Sequence, residues 1–302
     1  MDNMYITVHE IPALQIARTL LNAANCADGP GTSATERDAR SRFHQKRERT
    51  MPRASRYTGR NRILAALPPE DFDRFFPALQ PISLSLREVI HDVSSPIEHV
   101  YFVEQGVGSI LTIMADGSAI EVGMIGSEGM VGVSAVFGSA TSGQHVIVQI
   151  PGTALRMDAA RCKAAFDESA AVRMAVLRFA TALMNLSAQT AACNRLHSIE
   201  QRCARWLLMA HDRIQSDIMP MTHEFLASML GVRRAGVTVT AGELQRSGLI
   251  RYHHGQITIR DRDGLQATAC ECYRIDHERF MGSSQNLHLV PDTSPRIPPH
   301  AA

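Results

Sequence analysis

The sequence predicts an α+β chain: an N-terminal antiparallel β-roll, a long dimerisation helix and a C-terminal winged helix-turn-helix. Three observations predict it. Short β-rich runs separated by glycines or polar turns occupy residues 88–157. A stripe of apolar residues at alternating steps of four and three follows them, the rhythm of a helix that packs along its length. Two short helical patterns then meet at Gly231 and lead into an alternating hairpin pattern.

Length and composition set the bounds. A chain of 302 residues allows two domains of ordinary size, each able to bury a core. A formal net charge of +1 gives no global basic field, so any polyanion must be met by local patches. No apolar run approaches the roughly 18 residues of a membrane span, and the N-terminus lacks the charged-then-apolar layout of a signal peptide. A cytoplasmic protein is expected. The six cysteines (Cys26, Cys162, Cys193, Cys203, Cys270 and Cys272) form no C-x-x-C pair, and the single residue between Cys270 and Cys272 is weak spacing for a metal. They are read as buried or neutral thiols, with no metal and no cofactor. Ser, His and acidic residues occur without a nucleophile elbow, a phosphate loop or a zinc helix, so no enzyme is predicted.

Taken in order, residues 1–59 read as a disordered basic extension. Between Glu36 and Arg62 ten Lys or Arg stand against three acids, with almost no apolar residues to bury. The extension suits an arm on DNA or a segment upstream of the true start, since Met51 directly precedes the next region. Residues 60–167 form the predicted sensor domain. A short helix, Leu-Pro, and a second helix from Pro69 with Phe72, Phe75, Phe76 and Leu79 on its apolar side come first. The strands follow, at 88–91, 100–103, 108–113, 119–122, 130–133, 146–150 and 154–157; Asp116-Gly117 marks a hairpin, because its favoured turn needs positive φ at both central positions. So many short strands imply a closed or rolled antiparallel domain.

Asp158 caps a short helix through Phe166, and a long helix spans 168–196. Its stripe of Val172, Val176, Phe179, Leu183, Leu186, Thr190 and Cys193 is assigned to a two-fold partner, with Met174, Leu177 and Met184 facing the β-roll. Residues 197–280 make the last domain. A helix capped by Ser198 carries Ile199, Cys203, Trp206 and Leu207 on one face, with Trp206 in the core. Thr222 caps the next helix, where Phe225, Leu226, Met229 and Leu230 recur, and Gly231 makes the turn. A second helix over 232–247 turns Val237, Ala241 and Leu244 inward and leaves Arg233, Arg234 and Thr238 free for a major groove. Gly248 stops it, and 249–252 and 256–259 form a wing around a His-His-Gly turn. From Thr222 to Arg260 five arginines face two glutamates, a local excess suited to phosphate. A closing helix is expected over 263–280 with Leu265, Cys272, Tyr273 and Ile275 packed inward, and residues 281–302 form a disordered tail.

The stretch LASMLGVRR, with VTVTAGELQRSGLI and its hairpin, resembles the DNA-binding domain of the Crp/Fnr family of bacterial transcription regulators. VYFVEQGVGSILTIMADGSAIEVGMIGSEGMVG, notably Tyr101-Phe102-Val103 and Gly106, resembles the family's cyclic-nucleotide-binding-like β-roll, so the likeness covers about residues 60–280. The resemblance implies a homodimer on a roughly palindromic site in double-stranded DNA, with RNA polymerase as a further partner and control through the β-roll. Family members that bind cyclic AMP use a Gly-Glu pair and an Arg-Ser pair. Here Gly132-Val133 and Ser142-Gly143 stand at those places, so cyclic AMP is not the expected effector, since a buried phosphate charge needs a cation or a full donor set. Val133, Ser142, Gln144 and His145 mark the place of an effector pocket. Iron–sulfur relatives carry clustered N-terminal cysteines, whereas only Cys26 lies there. The family's reading pattern of Arg-Glu and a later Arg is matched only at Arg234, with Ala235 and Val239 at the other places. Arg234 is therefore assigned a guanine, Arg233 and Thr238 are helpers, and Thr222, Arg251 and His254 are phosphate contacts. The alternative is a regulator whose β-roll binds no small molecule and answers to a protein partner or is constitutive.

Overall fold

The computed structural model describes residues 57–214 and 216–281. The expected disordered segments, Met51 and Cys26 lie outside these residues, except for Tyr57 to Gly59, which precede α1, and Met281, the last residue of α9. Tyr57, assigned to the extension, packs its ring on Phe72 at 5.1 Å.

Helices α1 (Arg62–Ala65) and α2 (Pro69–Phe75) open the domain. Asn61 caps α1 by accepting from the Ile63 and Leu64 amides, and Pro69 begins α2 where no N–H is needed. Phe72 and Phe75 are buried as expected, but Phe76 is exposed, because the chain tightens into a 3-10 turn there and rotates that ring outward. Strand β1 (Gln80–Leu84) was not expected, since Pro81 argues against a strand. Its place at the edge of the sheet explains the tolerance.

The sheet adds β2 (Val89–His91), β3 (His99–Ile113), β4 (Ala119–Ile125), β5 (Met130–Val131) and β6 (His145–Asp158). The order is β1-β6-β3-β4, with β2 on β6 and β5 on β3, all antiparallel. The sequence suggests one strand on each side of Gly106 and one on each side of Pro151-Gly152. Each pair is one long strand. The register between β3 and β6 shifts between Val103 and Gly108, and Gly106 sits at φ 88°, so the strands bend through a bulge instead of ending. One half of β3 then pairs with β5 and the other with β4, which rolls the sheet around Val100, Phe102, Met130 and Val131. After β5 the expected strand gives way to a 3-10 turn over Val133–Phe137. Residues Met114–Ser118 close on their own bonds, with the Met114 amide donating to Ser118 O and Gly117 at φ 81°.

Asp158 accepts from the Arg161 amide at the start of α3 (Ala159–Glu168), and Ser169 caps α4 (Ala170–Leu196). Here the packing reverses the expectation. Val172, Val176, Phe179, Leu186, Thr190 and Cys193 are buried within the same chain, and Leu183 is half-buried. Leu183 and Leu186 lie 3.5 Å from where a side chain at Gly123 of β4 would begin, and the Phe179 ring fills the space above Gly129. Met174, Leu177 and Met184, assigned to the β-roll, are instead 49%, 39% and 73% exposed. The stripe is taken up by the chain's own core, with Phe179, Leu183 and Leu186 set against the sheet.

Helix α5 (Ile199–Ile214) begins at a capping box: the Gln201 amide donates to Ser198 Oγ and the Ser198 amide to Gln201 Oε1. Strand β7 (Ile218–Pro220), helices α6 (His223–Leu230) and α7 (Arg234–Arg246), strands β8 (Ile250–His253) and β9 (Gln256–Ile259), and helices α8 (Arg262–Thr268) and α9 (Glu271–Met281) complete the described chain. Strand β7 adds a third member to the wing sheet, ordered β7-β9-β8. The closing helix is two, broken before Cys270; Leu265, Cys272 and Tyr273 are buried, while Ile275 is only half-buried and Asp276 faces in to pair with Arg205 at 2.7 Å. The cysteines depart furthest from expectation. Cys193, Cys270 and Cys272, read as separate thiols, converge beside His197.

Candidate nucleic-acid interface

Helices α6 and α7 and the wing form one surface, and each is held by a local device. Thr222 Oγ1 accepts from the Phe225 amide at 3.2 Å and closes the start of α6. Gly231 ends it at φ 61°, a conformation costly for any residue with a side chain; a Cβ there would also strike Ile120 at 2.6 Å. The chain therefore turns at once into α7, whose Val237, Thr240, Ala241 and Leu244 are buried.

The opposite face of α7 is open. Arg233, Arg234, Ala235, Thr238 and Val239 are exposed around its first two turns, and no acidic residue occupies the first turn. Two guanidinium groups thus stand at a helix N-terminus, where the backbone dipole adds positive potential. Thr238 Oγ1 is committed, donating to Arg234 O at 3.1 Å and meeting His223 Nδ1 at 3.2 Å, which leaves it little capacity for a base. Its helper role is weakened accordingly.

The wing is positioned from both sides. Gln245 Oε1 of α7 accepts from the Tyr252 amide at 2.7 Å, and the Tyr252 ring stacks on His223 with centroids 4.0 Å apart. Its tip is a two-residue turn, His254 at φ 46° and Gly255 at φ 74°, the pairing that a type I′ hairpin requires. Gly255 O accepts from the Met221 amide, which brings the tip beside Thr222. Thr222 and His254 share this edge, with Arg251 exposed on β8. Sequence reasoning missed His223 and Tyr252, since nothing in their spacing signals a stack between a helix start and a wing strand. Burial, with the Arg234 charge as a second cause, holds the His223 imidazole below its ordinary pKa.

The residues expected to line an effector pocket are not assembled as one. Ser142 Oγ donates to Gln144 O at 2.7 Å and accepts from the Gln144 amide, His145 Nδ1 meets Asp92 Oδ1 at 2.8 Å, and the Gln144 side chain is exposed. Val133 is half-buried in the 3-10 turn. A small, partly open cleft lies elsewhere, lined by Glu121, Thr190, Asn194, Arg202, Arg205 and Trp206 among others. Its polar wall is anchored by Glu121, which accepts from Trp206 Nε1 at 2.8 Å, Ser109 Oγ at 2.5 Å and Gln149 Nε2 at 3.1 Å. Burial raises the Glu121 carboxyl to about 7, against the partial opposition of those donors.

Comparison with known proteins agrees with both halves of this architecture. Residues 81–169 match the family model of the cyclic nucleotide-binding domain, and residues 201–268 match that of the Crp-like helix-turn-helix domain. The transcriptional regulator SdrP of Thermus thermophilus is 38% identical over 61 residues, 20% of this chain; the match spans only 30% of that relative's length. Among solved structures, a Crp/Fnr-family transcriptional regulator from Eubacterium rectale superposes with a TM-score of 0.55 at 19% identity, over 67% of this chain and 94% of its own. The c-di-GMP-responsive global regulator CLP of Xanthomonas campestris does so at 0.54 and 17%, over 64% and 99%. Among the described residues no helix is long and apolar enough to cross a membrane. With a cyclic nucleotide-binding domain ahead of a Crp-like helix-turn-helix, the chain belongs to the Crp/Fnr family of transcriptional regulators.

Proposed function

We propose that the protein is a cytoplasmic, non-enzymatic regulator that binds a roughly palindromic operator as a homodimer. The observation that carries this reading is the open N-terminal face of α7, where Arg233 and Arg234 stand exposed between a capped α6 and a braced wing tip. Arg234 reads a guanine through its two-pronged donor set, Arg233 supports it, and Thr222, Arg251 and His254 fix the register on phosphates. Ala235 and Val239 offer apolar contact only, suited to thymine methyls, so the preferred operator departs from sites read by a Glu and a second Arg.

The dimer interface is proposed on the exposed face of α4. Met174, Leu177, Thr181, Met184, Ala188 and Ala191 recur there at heptad steps, and Thr181 Oγ1 donates to Leu177 O, which hides its hydroxyl. A second copy of this helix would bury them across a two-fold axis. RNA polymerase is the expected further partner.

Control through the β-roll is proposed without cyclic AMP. The segment from Met130 to His145 contains no Lys or Arg to neutralise a cyclic phosphate. A second reading, in which the β-roll answers to a protein or to nothing, is favoured by the closure of Ser142 and His145 onto their own neighbours. Selection of binding sequences from random duplex DNA tests the main reading. Enrichment of an inverted repeat is expected, and recovery of no sequence at low salt would contradict it. Calorimetry with cyclic AMP should give no heat of binding; tight binding would restore the nucleotide.

A further inference from the structure

Four side chains outside the α7 surface converge where α4 ends. Cys193 lies in the last turn of α4 and His197 is its C-cap, one turn further on, so both fall on one face. Cys270 and Cys272 flank Glu271, the first residue of α9. One ligand atom from each lies within 4.8 Å of the others. Cys193 Sγ is 3.6 Å from Cys270 Sγ, and Cys272 Sγ is 3.6 Å from His197 Nδ1. A tetrahedral ion with metal–sulfur bonds of about 2.3 Å and metal–nitrogen bonds of about 2.0 Å sets its ligand atoms roughly 3.5–3.8 Å apart. The two spacings fall in that range. We propose that Cys193, His197, Cys270 and Cys272 form a tetrahedral Cys3His site for one zinc ion, which clasps α9 to the end of α4.

The surroundings suit that ion. All three sulfurs are buried, which protects them from oxidants and from competing water. His197 Nε2 is 3.3 Å from Glu271 Oε1; a proton held there by the carboxylate leaves the Nδ1 lone pair directed at the sulfurs, the usual support of a metal-bound imidazole. Gln189 Nε2 donates to Cys272 Sγ at 3.0 Å, a bond that favours thiolate. Three thiolates and one zinc ion leave a net negative charge, and the Arg205 and Arg202 guanidiniums lie close enough to act on Cys193. Thiolate and imidazole select zinc over magnesium or calcium. An iron–sulfur cluster would need its ligand sulfurs on different irons, a wider spread than one shared centre gives. On binding, each coordinating thiol releases its proton to solvent and no electron moves. The clasp sits beside the junction of α4 and α5, so it fixes the direction in which the C-terminal domain leaves the long helix.

The full-length chain, purified without a histidine tag, should hold about one zinc per chain by elemental analysis. Replacing zinc with cobalt should give the intense visible bands of a tetrahedral thiolate complex. Cys270→Ser and Cys272→Ser should each lower the metal to less than about a tenth of an equivalent, while Cys162→Ser and Cys203→Ser, at buried thiols outside the cluster, should keep it. His197→Asn, on the rim of the site, should weaken metal binding and shift the cobalt bands, which separates loss of a ligand from loss of the fold. A metal-free chain whose cobalt spectrum is the weak octahedral type would overturn the proposal. So would a native Cys193–Cys270 disulfide, stoichiometric iron with labile sulfide, or cysteine variants that retain full metal.

Discussion

Arg234 and Glu121 show how single side chains set behaviour. Arg234 begins α7 exposed, with its guanidinium free to face a groove. Arg234→Ala should weaken operator binding by about 1–3 kcal/mol and relax discrimination at one base pair, measured by fluorescence anisotropy on the operator and its single-base variants. Equal binding to every variant before and after the change would remove Arg234 from base reading. Glu121 is a matter of pH. Its folded pKa is raised to about 7 from the ordinary 4.5, because burial penalises the charged form. Below the unfolded value both states hold the proton and nothing is lost. Between the two values the folded state keeps a proton that the unfolded state has released, so stability falls as pH rises through that window, by on the order of 3 kcal/mol, and is level above it. Thermal unfolding from pH 5 to pH 8 should show the decline, and Glu121→Gln should flatten it. An unchanged slope in that variant would place the titration elsewhere.

At the scale of elements, α4 carries the clearest test. Its buried stripe belongs to the core, so Phe179→Ala should cost about 3–5 kcal/mol of stability and leave the oligomeric state of the folded fraction unchanged. Its open stripe is the proposed dimer face, so Met184→Asp should leave the fold intact and yield monomers in sedimentation velocity. Monomers from the first variant, or a persistent dimer from the second, would reverse the assignment. The heptad rhythm itself was legible in the sequence, as were the caps at Thr222, Asp158 and Ser198 and the turn at Gly231, because each is a local signal. Which stripe faces which surface was not legible. Two apolar faces compete for one sheet, and only the tertiary contacts of Phe179 over Gly129 decide. Strand ends at Gly106 were misread for a related reason: a glycine marks a break and a bulge alike. The gathering of Cys193 with Cys270 was hidden by a separation of 77 residues.

In the whole molecule the C-terminal domain is not hung on a loose linker. Trp206 Nε1 reaches Glu121 of β4, Arg213 Nε reaches Glu128 at 2.8 Å, and Gly231 abuts Ile120. A change within the β-roll is therefore mechanically continuous with the turn between α6 and α7. Under the proposed function, regulation works by biasing the arrangement of a dimer, with no contact between β-roll and operator. The proposed phosphate contacts predict steeply salt-dependent binding, and Arg251→Ala should lower the logarithmic salt slope by about one per site lost. In the proposed complex two α7 helices, related by a two-fold axis, enter successive major grooves on one face of the duplex. Hydroxyl-radical footprinting of the purified protein on its selected operator is the decisive measurement. Two protected tracts of equal strength, centred about 34 Å apart and related by inverted-repeat symmetry, are expected; a single tract, or no protection of any duplex at low ionic strength, would rule this arrangement out.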